Sequence, residues 1–248
     1  MTDASNDRLS VLVDVELPEP RPLPDALVRL LSPLRVVLLG WYAIPEQTAP
    51  EQAREQFEAE ALTALDQAAR PFRERGADPE TFLAFTPDQF SSIEQISREA
   101  ECDAVLLPNQ MQDLSHILLP VRGLQNAEKI APVCAALIQN DVTSVTLLHV
   151  MADEESRESA TADILDPMTD ALVRAGLDKG MIRQEAVTGP DAVDSIISHA
   201  ADHDAVIIGE TEPSMREILF GTVPEQIVER ANVPVILVRN PNTEPNEG

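Results

Sequence analysis

The residues with the most chemical promise lie between positions 209 and 225. Gly209 closes the run Asp204-Ala205-Val206-Ile207-Ile208, and Gly221-Thr222-Val223-Pro224-Glu225 opens a segment with helical spacing. Thr222 and Glu225 stand at the capping-box spacing, with Thr222 as N-cap and Glu225 reaching back, and Pro224 sits in the first turn, where proline is tolerated. The unsatisfied N–H groups of such a helix start attract anions. Gly209 and Gly221 would let a phosphate approach the backbone closely. The same residues also describe a structural turn leading into a capped helix, and residue chemistry alone leaves both readings open.

Other chemistry is poorly supported. His199 and His203 have the i, i+4 spacing of metal ligands, but Ala200 stands where a zincin needs Glu and no third ligand is in view. They read as a solvated helix end, and no metal site is expected. His149 and His116 end or begin strands, with no sequence partner for acid–base work. G-x-S-x-G, Walker A and G-x-G-x-x-G patterns are absent, as is a Cys/His pairing with an orienting acid, so no catalytic residue is assigned and the chain is not read as an enzyme. Cys102 and Cys134 lie among apolar residues and read as buried reduced thiols.

The elements that must position these residues repeat at a spacing of about 100 residues. The strand opening at Ser10 matches the one opening at His116, and the run from Val36 to Trp41 matches that from Val145 to Val150. Residues 81–86 match 184–188. The sharpest pair is Cys102-Asp103-Ala104-Val105-Leu106-Leu107-Pro108 with His203-Asp204-Ala205-Val206-Ile207-Ile208-Gly209. Between them, residues 50–75 have helical periodicity with Phe57, Ala61, Leu65 and Ala68 on one face, and Ile93, Ile96, Ala100 and Val193, Ile196, Ile197, Ala200 form two further stripes. Short apolar strands alternating with helices predict parallel sheets covered on both faces, joined by right-handed crossovers. The expected fold is α/β, two doubly wound parallel-sheet sandwiches, the first (8–113) truncated after its fourth strand and the second (114–241) complete. Residues 152–162 are acidic and Ser-rich and read as a mobile loop; Pro132 predicts a kink or a late start in the helix after Asn126.

Composition bounds the setting. Lys+Arg total 18 against 43 Asp+Glu, a net charge of −25, while 44% of residues are hydrophobic, enough to build a core. Lys129 and Lys179 are the two lysines, and the acids spread evenly, with −12 up to Asp113 and −13 after it. Nucleic acid is excluded as a partner, since phosphates would meet a strongly negative surface. No apolar run approaches the ~20 residues of a membrane span, and residues 1–10 lack the order of a signal peptide, so a cytoplasmic protein not embedded in membrane is expected. So even a charge load repels itself in dilute buffer and is tolerated where salt screens within about 3 Å, at ~1 M. The expected setting is the high-salt cytoplasm of a salt-in halophile.

The second half resembles the universal stress protein family. The resemblance rests on Ile117-Leu118-Leu119-Pro120-Val121 with Asn126-Ala127-Glu128, on the run from Val145 to Val150, on the strand ending at Gly209, on Gly221-Thr222, and on Val233 to Arg239. It covers residues 115–240 well and 9–113 weakly, in the manner of a tandem chain of haloarchaeal type with a degenerate first domain. It implies a five-stranded fold of the adenine-nucleotide alpha hydrolase type and a non-enzymatic stress-response sensor or regulator whose second domain binds ATP, a related nucleotide or another anionic ligand. Carried over by position, Gly209, Gly221 and Thr222 would contact phosphates with Val223 beside them. Pro120 and Val121 would line the base and ribose, and Val150 would touch adenine. Two positions depart from the family pattern: Glu212 replaces the middle glycine of the loop, and Arg122 replaces the acid after Pro-Val. A carboxylate ~4 Å from a phosphate costs about 1 to 4 kcal/mol, depending on the dielectric; Arg122 and Arg216 are the guanidinium groups that would offset it. In the first half Pro108 replaces Gly209, and at the position of Val150 Trp41 either stacks on an adenine or, with Tyr42, fills or covers the cleft. The resemblance further implies a homodimer through the last strand and a protein client. The alternative is a ligand-free adaptor acting on a partner such as a membrane transporter. The charge reading predicts that thermal unfolding moves to higher temperature as KCl is raised; a melting point indifferent to KCl would refute it.

Overall fold

The computed structural model describes residues 8–109, 114–124, 127–138, 142–152, 154–189, 191–209, 230 and 232–239. The chain divides into two compact units, residues 1–108 and 109–248. The first contains β1 (Ser10–Leu17), α1 (Asp25–Leu31), β2 (Arg35–Ala43), α2 (Pro50–Arg73), β3 (Glu80–Thr86), α3 (Gln89–Glu99) and β4 (Ala104–Leu107). Its strands pair in parallel in the order β3-β2-β1-β4. The second contains β5 (His116–Pro120), α4 (Ala127–Leu137), β6 (Ser144–Met151), α5 (Arg157–Ala160), α6 (Asp166–Arg174), β7 (Ile182–Thr188), α7 (Ala192–Ala200), β8 (Ala205–Gly209) and β9 (Val235–Val238). Its parallel order is β9-β8-β5-β6-β7. Among the described residues the first unit therefore has four strands and lacks a counterpart of β9.

The strands are apolar because both faces are covered. Leu12, Val37 and Val105 in the first unit and Ile117, Leu118 and Val206 in the second are fully buried. The registers of the two units agree. Leu12 pairs with Val37 on one side and Val105 on the other, as Leu118 does with Thr146 and Val206. Counting along each strand sets Asp14 level with Pro120, Trp41 with Val150 and Pro108 with Gly209.

The paired Asp-Ala-Val runs have a clear physical use. Asp103 Oδ2 accepts hydrogen bonds from the Ser10 N–H at 2.8 Å and the Ser10 O–H at 2.9 Å. Asp204 Oδ2 accepts from the N–H groups of Ser115 and His116, both at 2.8 Å. Each aspartate thus satisfies backbone donors where a central strand begins, groups that burial would otherwise leave unpaired. Helix starts are treated alike: Asp88 accepts from the Phe90 and Ser91 N–H groups, and Asp191 from those of Val193 and Asp194.

Two local expectations change. The segment read as a loop over 152–162 is helical from Arg157, with α5 running into a π turn at Thr161–Leu165 and then into α6. Pro167 lacks an N–H and its ring crowds the carbonyl of residue 163, which accounts for the widened turn before it. α4 starts at Ala127, so it has no late start at Pro132, and it runs on to Leu137, carried by buried Ile130, Ala131, Val133, Cys134 and Leu137. Cys134 is a buried thiol whose pKa burial pushes up to about 12.

Asp14 is the exception to the apolar pattern. It is 7% exposed on central strand β1. Its Oδ2 accepts from Gln89 Nε2 at 2.5 Å, while Oδ1 meets no partner among the described residues. Burial raises its pKa to about 7, opposed by the Gln89 hydrogen bond and assisted by the charge of Glu16. In the unfolded chain an aspartate titrates near ~3.9. Between these values the folded protein holds a proton that the unfolded chain has lost. Asp14's contribution is therefore complete below pH ~4 and is lost as pH rises through about 7, a swing on the order of 4 kcal/mol. Asp14→Asn should flatten the decline of urea stability over this range and be more stable than wild type on its alkaline side; parallel curves for the two proteins would refute the assignment.

Candidate functional site

The strongest candidate lies where β5 and β8 end. β5 terminates at Pro120, and the Val121 N–H still reaches the Leu148 carbonyl at 2.8 Å, so the chain leaves the sheet only after Val121. Pro120, Val121, Arg122 and Gly209 then line one concavity with Leu119, Gly123, Ile130 and Met168. Its interior volume is about 10 Å³, roughly the room one water needs and far below the ~300–1,000 Å³ of small-molecule sites, so among the described residues it is a shallow concavity rather than a formed ligand pocket. It sits beyond the carboxyl ends of parallel strands, where ligands bind in open α/β sheets.

Gly209 has a packing role that its place after a strand did not reveal. A Cβ built there would lie 2.0 Å from Ile130 Cδ1 and 2.7 Å from Cγ1. Ile130 is buried on α4, so the missing side chain is what lets this helix settle against the end of β8. Nothing in the sequence singles out Ile130 or Met168; the register that brings both to the strand end is tertiary.

Val150 lies near the end of β6, half-buried and paired with Val187 of β7, and is not among the residues lining the concavity. Gly221, Thr222 and Val223, with Glu212 and Arg216, lie outside the described residues. In the first unit the level position is taken by Trp41, half-buried, whose indole N–H is buried without an acceptor among the described residues. Tyr42 stacks on Phe57 of α2 with ring centroids 5.1 Å apart and leans on Phe85 at 5.4 Å. This ring cluster belongs to the packing of α2 on the sheet.

The histidines divide by partner. His199 Nδ1 lies 2.7 Å from the Ser195 carbonyl, and His203 Nδ1 2.7 Å from that of His199, so each donates a hydrogen bond within its own helix end. Thr146 O–H meets His203 Nε2 at 3.0 Å. His149, read from sequence as lacking a partner, has two. Its Nδ1 stands 2.7 Å from the Val121 carbonyl, and its Nε2 stands 3.1 and 3.0 Å from the two carboxylate oxygens of Glu155. The ring is buried. The His149 hydrogen bond, first, holds the Glu155 carboxyl below the usual carboxylate range against desolvation, helped by the Ala152 N–H and the charge of the ring. Nothing in the sequence marks Glu155 apart from its acidic neighbours, since the pairing depends on how the chain turns after β6.

The sequence model of the universal stress protein family matches residues 114–239. No curated protein matches this sequence. Among solved structures, a universal stress protein from Archaeoglobus fulgidus is similar over 95% of this chain and 97% of its own, with 13% identity and a TM-score of 0.64. A protein of unknown function from Pseudomonas aeruginosa is similar over 96% and 95%, with 17% identity and a TM-score of 0.52. A universal stress protein from Archaeoglobus fulgidus in complex with dAMP aligns with 50% of this chain and 97% of its own, at 20% identity and a TM-score of 0.38. At these identities the first two likenesses establish the fold.

The Ile130 contact makes a prediction. Gly209→Ala should lower stability by about 1–3 kcal/mol, the usual cost of overpacking. Ile130→Val, which shortens the colliding side chain, should restore part of that loss in the double variant. Additive effects of the two substitutions in urea titrations would count against the contact.

Proposed function

Because this chain belongs to the universal stress protein family, we propose that it is a regulatory protein whose second unit binds an adenine nucleotide, ATP or a relative, without turning it over. The observation that carries the reading is the convergence of Pro120, Val121, Arg122 and Gly209 on one concavity at the mouth of the parallel sheet. In this reading Pro120 and Val121 face the base and ribose, with Val150 one strand away. Gly209 brings backbone near the phosphates, and Gly221, Thr222 and Val223 complete the cradle with N–H groups of a helix start. Arg122 supplies positive charge at a position where the family carries an acid, and guanidinium pairs well with phosphate. Occupancy alters a contact with a client protein, since a ligand shifts only states that it binds unequally. The first unit is a degenerate copy with a structural or partner-binding role, as its Trp41 and Pro108 suggest. The −25 charge supports a high-salt cytoplasm as the working environment.

Calorimetry with ATP, ADP, AMP and adenosine tests this reading. Arg122→Glu should weaken ATP by at least about tenfold and adenosine by less than about twofold, because the charge change acts on the phosphates. Equal losses for both ligands would remove Arg122 from the phosphate side. Failure of the wild type to bind any of the four would overturn the nucleotide reading in favour of a ligand-free adaptor.

A further inference from the structure

We propose that His149 and Glu155 form a proton-dependent clasp that fixes the Val121 wall of the site, so that a nucleoside is held more tightly while the ring carries two protons. The ligand in this proposal rests on the nucleotide reading above; the clasp rests on this chain's geometry.

The proton count follows from the partners. The Val121 carbonyl, 2.7 Å from Nδ1, can only accept a hydrogen bond. The Glu155 carboxylate, 3.0 Å from Nε2 at its nearer oxygen, is likewise only an acceptor when ionised. Both ring nitrogens must donate, which requires the imidazolium. A neutral ring has one N–H and turns a lone pair on either the carbonyl or the carboxylate. His149 is too well buried for water to replace the lost bond.

The clasp joins two segments at the mouth of the sheet. On one side it grips Val121, whose N–H is already tied to the Leu148 carbonyl, so that the residue is anchored to β6 through both its N–H and its C=O. On the other it grips the turn after β6, where Glu155 Oε2 also accepts from the Ala152 N–H at 3.1 Å and the Glu155 N–H reaches the Ala152 carbonyl at 3.0 Å. Loss of the ring proton therefore loosens Val121 and the turn together.

The surroundings leave Glu155 as the ring's charged partner among the described residues. Ala186 stands opposite His149 on β7, and Val121 follows β5. The helix over β6 buries Ala160 and Leu165 and exposes Arg157, Glu158 and Asp163, while Arg122 and Glu154 are exposed on the flanking loops. In the first unit the level position on β2 is Gly40, where a Cβ would lie 2.8 Å from Leu17 Cδ1 and 3.1 Å from Leu65 Cδ1. No such clasp can form there.

Glu155→Gln gives a sharp test. Its side-chain amide can donate to Nε2, so a neutral ring with its proton on Nδ1 satisfies both partners. Adenosine serves as the probe because it has no group titrating between ~pH 6 and ~pH 9, the range spanned by imidazole switches. Wild-type affinity should fall about tenfold from ~pH 6 to ~pH 9, Glu155→Gln should change less than about twofold, and Glu155→Ala should bind weakly throughout. In the ligand-free protein, long-range 15N spectra should report two protonated nitrogens on His149 at ~pH 6 and one at ~pH 9, with the signal assigned by its loss in His149→Gln. The Ala152 protection factor should fall by about tenfold over the same range. A ring with one proton at ~pH 6 or two at ~pH 9, or an Ala152 protection factor that ignores pH, overturns the clasp. Absence of adenosine binding at every pH instead refutes the nucleotide reading, and the ring and Ala152 still decide the clasp.

Discussion

The mouth of the second unit depends on the parallel pairing of β5 with β6 and β8. Parallel ladders bring strand ends of one kind to one edge, so residues distant in sequence, Val121, His149 and Gly209, come together without any motif linking them. The pairing is held at its far end by Asp204, which satisfies the N–H groups of Ser115 and His116 where β5 begins. A slip of one residue would exchange the two faces of the strand. It would turn Ile117 and Leu119 toward the face now filled by Leu118 and move Val121 away from Leu148. A carboxylate at one end of the sheet thus helps keep the strand ends around Val121 and His149 in register at the other.

Much of this was legible in sequence because it follows from short-range periodicity. Runs such as Val145 to Val150 can hardly be other than buried strands, and the paired Asp-Ala-Val segments aligned the halves closely enough to put Trp41 level with Val150 and Pro108 level with Gly209, as the registers have it. The rest lay outside periodicity for identifiable reasons. Glu155 pairs with His149 across a turn whose path no residue type dictates. Ile130 meets Gly209 through the docking of α4, where glycine's role is the space it leaves. Pro132 is a helix breaker by rule, yet the buried apolar face of α4 outweighs one missing N–H. Nothing in the sequence singles out Asp14, and only its burial beside Gln89 makes it a titrating group.

The two units set different side chains on matching scaffolds. Where the second has Pro120, apolar and uncharged, the first has a buried carboxyl that accepts from Gln89 at the start of α3. Where the second has Val150, small and half-buried, the first has an indole with its N–H enclosed. Where the second has His149 reaching two acceptors, the first has Gly40, which leaves room for Leu17 and Leu65. At this edge the first unit thus carries a buried carboxyl, an enclosed indole and packed Leu17 and Leu65 where the second carries proline, valine and a histidine held by two acceptors. The strands can stay alike through such exchanges because their register is set elsewhere, by Asp103 on Ser10 and by Asp204 on Ser115 and His116. The ends of the strands are therefore free to carry different side chains in the two units without disturbing the core that both require.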